Sequence, residues 1–196
     1  MEEDQIDEIL KAVGRALHNW SRVEGQLINI LWRCMETKTP APATIVWGNI
    51  ISIEPKLSII TQILPHFLSD QDAIGLWAHV RETVKTRSRS RNNLAHGEVV
   101  RYETGPRFVP KYQSADMGKL GYADTGPENA VDRLLENYEP RGYTAKDILL
   151  IANNFTELKA VIQWYYDWVI EFQRVPHELD MTPIPKVISE YLARGK

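Results

Sequence analysis

The stretch Lys85-Thr86-Arg87-Ser88-Arg89-Ser90-Arg91-Asn92-Asn93-Leu94-Ala95-His96-Gly97 holds the densest set of groups in this chain that could do chemistry. From Arg81 to Arg101 six bases (Arg81, Lys85, Arg87, Arg89, Arg91, Arg101) face two acids, Glu82 and Glu98, a net charge of +4 in a chain whose total is −3. Such a local field attracts anions, phosphates above all, while the net acidity argues against indiscriminate nucleic-acid coating. For Lys85, Arg87 and Arg89 the other interpretation is a solvated helix end, where cations complement the negative pole of the helix dipole.

Arg91 is distinct, because it lies seven residues beyond Val84 and fourteen beyond Trp77, on the face that the apolar residues turn inward. An inward guanidinium needs an acid or anion beside it, since a buried charge left unpaired is costly. The matching acid is Glu24, four residues after Trp20 and three before Leu27 within the first apolar stripe. A Glu24–Arg91 ion pair across a helix interface is therefore expected; it would serve packing alone or support a functional group. His96 follows Arg91 by five residues, about 140° further round an ideal helix, so the two converge only where the helix stops between them or a second subunit intervenes. Gly97 supplies a stop. Asn92, four residues before His96, shares its face and can orient the imidazole. Taken alone, a histidine before a C-capping glycine reads as a cap.

Other chemistries find no support in the sequence. It has no phosphate-binding Gly-x-x-x-x-Gly-Lys loop, no Gly-x-Gly-x-x-Gly, no Gly-x-Ser-x-Gly elbow and no His-Glu-x-x-His. His18, His66, His79, His96 and His177 lack close ligand spacing and Cys34 is alone, so neither a metal nor a cofactor is expected.

Hydrophobic spacing defines the elements that must position these groups. Ile6, Ile9, Leu10, Val13, Leu17, Trp20, Val23, Leu27, Ile30, Leu31 and Cys34 recur at three- and four-residue steps and predict a long amphipathic helix over 4–36, ended by Thr37-Lys38-Thr39-Pro40. Residues 44–53 are apolar but too short to classify, and Pro55 opens a second helix over 57–67. Ser69 with Asp72 resembles a capping box before Ile74, Trp77, Val80 and Val84, a third helix running to about residue 95. Alternation at Val100, Tyr102, Phe108 and Tyr112 around Gly105-Pro106 reads as a hairpin, and the glycine-rich residues 113–130 read as an exposed loop. Thr144 with Asp147 caps a last helix carried by Ile148, Ile151, Phe155, Leu158, Ile162, Tyr165, Trp168, Val169 and Phe172.

The expected fold is mainly α: a bundle of four main helices with a β-hairpin and loop insertion between the third and last core helices. With 196 residues, 43% hydrophobic and 25% charged, a single domain over 1–196 is expected, its helical core over 5–100 and 144–174, its insertion over 99–142 and its tail over 175–196. One cysteine, an acidic Met1-Glu2-Glu3-Asp4 start and no apolar run of roughly 18 residues point to a cytoplasmic protein without membrane contact.

Arg91-Asn92-Asn93-Leu94-Ala95-His96 resembles the arginine, polar residue, then histidine signature of the HEPN superfamily (higher eukaryotes and prokaryotes nucleotide-binding). These are small helical-bundle proteins common in bacterial toxin, defence and RNA-processing systems. The position is similar too: the motif ends a long third helix, after an opening helix carrying Trp20-Ser21-Arg22-Val23-Glu24 and before a closing helix entered through Tyr143-Thr144. The resemblance covers the helical core and leaves out the insertion and tail.

It implies a metal-independent RNA endonuclease of defence or toxin type, with Arg91, Asn92 and His96 at the motif positions. RNA carries its own nucleophile, the ribose 2′-OH, so the protein need only move protons and stabilise charge on phosphorus. His96 would take or deliver a proton, and Arg91 would donate to the phosphoryl oxygens, leaving a 2′,3′-cyclic phosphate and a 5′-OH. Lys85, Arg87 and Arg89 would hold flanking phosphates. A homodimer bringing two motifs into one cleft, and an antitoxin or defence-system partner, are implied as well. The alternative is a non-catalytic nucleotide- or RNA-binding or helical interaction module whose Arg-His motif is structural.

Overall fold

A computed structural model describes residues 2–110 and 142–167. They form five helices, α1 (Glu2–Cys34), α2 (Ala41–Gly48), α3 (Ile53–Phe67), α4 (Gln71–Ala95) and α5 (Ala145–Tyr165), with strands β1 (Glu98–Tyr102) and β2 (Gly105–Val109) between α4 and α5. The fold is mainly α, and no helix among the described residues is long and apolar enough to cross a membrane. Tyr112, the glycine-rich stretch 113–130, Trp168, Val169, Phe172 and the tail over 175–196 lie outside the described residues.

Several local expectations change. Of the unclassified apolar stretch, residues 44–48 belong to α2, whose first turn holds Pro42, where a missing N–H costs nothing, and 49–52 are non-helical. The cap of α4 is Asp70 rather than Ser69: its Oδ1 accepts from the N–H groups of Asp72 and Ala73 at 2.9 and 3.4 Å. In α1 Leu10 is 51% exposed while Ala12 and Ala16 are buried, so the inward face there is built on small residues.

The described residues fall into two compact units, 2–17 with 90–110 and 142–153, and 18–89 with 154–167. In the first, Ile9, Ala12, Ala16, Leu94, Phe108, Val109, Ile148 and Ala152 are buried. β1 and β2 pair antiparallel, Val99 opposite Phe108 and Tyr102 opposite Gly105. Gly105 takes φ +107°, so the Gly105-Pro106 pair starts β2 after the turn instead of forming it. Phe108 exchanges two backbone hydrogen bonds with Tyr143, at 2.9 and 2.8 Å. α5 opens with a reciprocal cap: Asp147 Oδ2 accepts from the Thr144 N–H at 2.9 Å, and Thr144 Oγ1 accepts from the Asp147 N–H at 3.2 Å. The Thr144 hydroxyl donates to the same Oδ2 at 2.6 Å, and this bond, with that from the Thr144 N–H, lowers the Asp147 carboxyl from its ordinary value.

In the second unit the core is larger and aromatic. Trp20 meets Phe155 edge to face with centroids 5.2 Å apart. Trp77 Nε1 donates to Thr61 Oγ1 at 2.9 Å, and the buried Tyr165 hydroxyl donates to the Ala73 carbonyl at 3.1 Å, so the polar ends of these two aromatic side chains are satisfied. Burial pushes the Cys34 thiol up to about 12, which leaves no thiolate nucleophile near neutral pH.

Candidate functional site

The motif closes α4 in the first unit. Leu94, 2% exposed, anchors the last turn in the core, while Asn92 and His96 face outward and Arg91 is half-buried. Arg91 Nη1 donates to Asn92 Oδ1 at 3.1 Å. The His96 N–H donates to the Asn92 carbonyl at 3.2 Å, so the last helical bond survives one residue past the helix. His96 thereby keeps helical spacing from Arg91, and among the described residues no hydrogen bond joins their side chains. Gly97 then turns the chain into β1 under the Phe108 ring; a Cβ here would stand 2.7 Å from the Val109 carbonyl oxygen, and only glycine permits so close an approach.

The expected Glu24–Arg91 pair is replaced by other partners. Glu24 Oε1 accepts from Lys56 Nζ at 3.3 Å, with side chains 25% and 10% exposed, and the same ammonium lies 4.8 Å from the Trp47 ring centroid. The acid in the α1 stripe thus neutralises a lysine whose own position was the missed signal. Lys56 stands four residues before Ile60 and eight before Leu64, inside the apolar face of α3.

The basic run divides too. Lys85, expected as a phosphate contact, lies 3.5 Å from Glu54, which also receives Arg81 at 2.6 Å. Arg87 is half-buried and Arg89 exposed, and neither makes an ion pair among the described residues. All three of Lys85, Arg87 and Arg89 belong to the second unit, Arg91, Asn92 and His96 to the first. Among the described residues no group of three or more His, Cys, Asp or Glu side chains could hold a metal ion.

Chemically, the end of α4 offers a solvent-facing imidazole with no partner among the described residues, and a guanidinium whose one contact is a neutral amide. Such groups can meet an anion and move a proton. Comparison with protein-family models, with curated proteins and with solved structures finds no match for this chain.

Proposed function

We propose that this chain is a metal-independent RNA endonuclease of the HEPN type, working in a toxin or defence setting. The supporting observation is that Arg91 carries no carboxylate partner among the described residues, Asn92 Oδ1 at 3.1 Å being its contact, and that His96, five residues on, is exposed. A guanidinium already neutralised by an acid would be less available to a phosphate.

In the proposed reaction an imidazole accepts the 2′ proton as the 2′ oxygen attacks phosphorus; the bond from phosphorus to the 5′ oxygen breaks, and that oxygen leaves with a proton from a second acid. Arg91 donates to the phosphoryl oxygens as charge builds. Base and acid together need two imidazoles, and a two-fold dimer supplies the second. The first unit exposes Leu10, Leu149 and Leu150, at 51%, 36% and 62%, apolar surface that a second copy would cover.

A non-catalytic binding module is favoured by a different observation: no hydrogen bond brings the Arg91 and His96 side chains together within one chain. Incubating the purified protein with total RNA in EDTA, beside His96→Ala, separates the two. Cleavage that yields cyclic-phosphate ends and vanishes in the variant supports the endonuclease. No cleavage by a folded wild type that light scattering finds dimeric transfers the motif to binding.

A further inference from the structure

The second unit carries a cation cluster of which the endonuclease reading uses Lys85 alone, leaving Arg81 and Glu54 without a role. Arg81 and Lys85 stand one turn apart on α4 and so share a face. Both reach one carboxylate oxygen, Glu54 Oε1 in the first turn of α3: Arg81 Nη2 at 2.6 Å and Lys85 Nζ at 3.5 Å. Two cations on one carboxylate leave a positive charge unmatched. Among the described residues no second carboxylate pairs with either cation.

The hydrogen bonding is equally incomplete. A guanidinium matches a carboxylate through two parallel bonds, yet Arg81 gives Glu54 a single Nη, and its buried Nε meets no protein acceptor among the described residues. Among the described residues Lys85 has Glu54 as its one charged contact, at a distance too long for a good hydrogen bond. Side-chain exposures of 30% for Arg81, 39% for Lys85 and 44% for Glu54 leave the cluster open to solvent. A fork of guanidinium donors one turn from a point-charge ammonium suits an anion with several oxygens in tetrahedral array, which can accept from both at once.

We infer that Arg81 and Lys85 form a phosphate-binding site, with Glu54 as the internal competitor that the phosphate displaces. The phosphate belongs either to a free small molecule or to a polynucleotide backbone. The inference stands apart from the endonuclease reading, and its test uses full-length chains carrying His96→Ala, so that RNA stays intact whatever the catalytic outcome.

Calorimetry at constant ionic strength, with inorganic phosphate against a chloride control, is run on this background and on Arg81→Ala, Lys85→Met and Glu54→Gln added to it, each verified as folded by circular dichroism. Loss of phosphate binding in the first two and about tenfold tighter binding in Glu54→Gln are expected, since removing the competing charge lowers the cost of releasing both cations. A structural ion pair would not produce that tightening. Competition by a short RNA without terminal phosphates assigns the site to the backbone; its absence assigns the site to small molecules. Phosphate binding equal across the four proteins, or no better than chloride in Glu54→Gln, overturns the inference.

Discussion

The start of α3 and the end of α4 hold similar residues in opposite conditions. At α3, Lys56 is 8% exposed, neutralised by Glu24 and laid on Trp47. At α4, Arg91 is half-buried, bonded to a neighbouring amide, and His96 is exposed. Both cations continue an apolar stripe, so stripe position alone does not say which one is paired. Burial does: a lysine sealed in a core must find a carboxylate, whereas an arginine at a helix end keeps its head in water.

The contrast breaks most clearly on Glu24. Glu24→Ala leaves the Lys56 ammonium buried without its counter-charge, and a loss of about 2–3 kcal/mol is expected, at the low end for buried pairs because Glu24 is 25% exposed. Urea denaturation measures it. The double variant Glu24→Ala with Lys56→Met should recover much of the loss; no recovery would mean that Glu24 acts through other contacts.

A smaller effect is expected at the cap of α5. Asp147→Ala removes one half of the reciprocal cap and should cost about 1 kcal/mol at neutral pH. Its carboxyl is held below the ordinary value in the folded chain, so its contribution is complete above the unfolded-state pKa of about 4 and fades as pH falls through the folded-state value. Wild type and variant should therefore converge in stability in strong acid, a comparison of denaturation midpoints against pH being the check.

The smallest effect is expected where the motif lies. Arg91→Ala should change stability by less than about 0.5 kcal/mol, as at an ordinary surface site. A loss as large as that of Glu24→Ala would erase the distinction between the two regions and return Arg91 to a packing role.

Much of the helical frame was legible because long amphipathic periodicity survives local exceptions. The helices over 4–36 and up to residue 95 were placed within a few residues of α1 and α4. The hairpin was legible from alternation, though Gly105 proved to follow the turn, since its φ of +107° is needed there. α2 was not, because eight residues of apolar, β-branched chain carry no period long enough to identify. At the candidate site the residues were legible but their partners were not. Glu24 stands out by its place in the α1 stripe; Lys56 meets the same criterion on α3, but it precedes residue 57, where the expected second helix begins. Pairing depends on which helix faces face each other, and one sequence does not state that.

The two hydrogen bonds between Phe108 and Tyr143 bear on residues 111–141. They clamp the chain where it leaves β2 and where it returns, so the ends of that stretch are fixed to one another by backbone alone. The clamp thus works as a staple: the approach of the chain to α5 is set by backbone bonds at Phe108, so a side-chain substitution at Tyr143 that keeps the backbone in place should leave that approach unchanged.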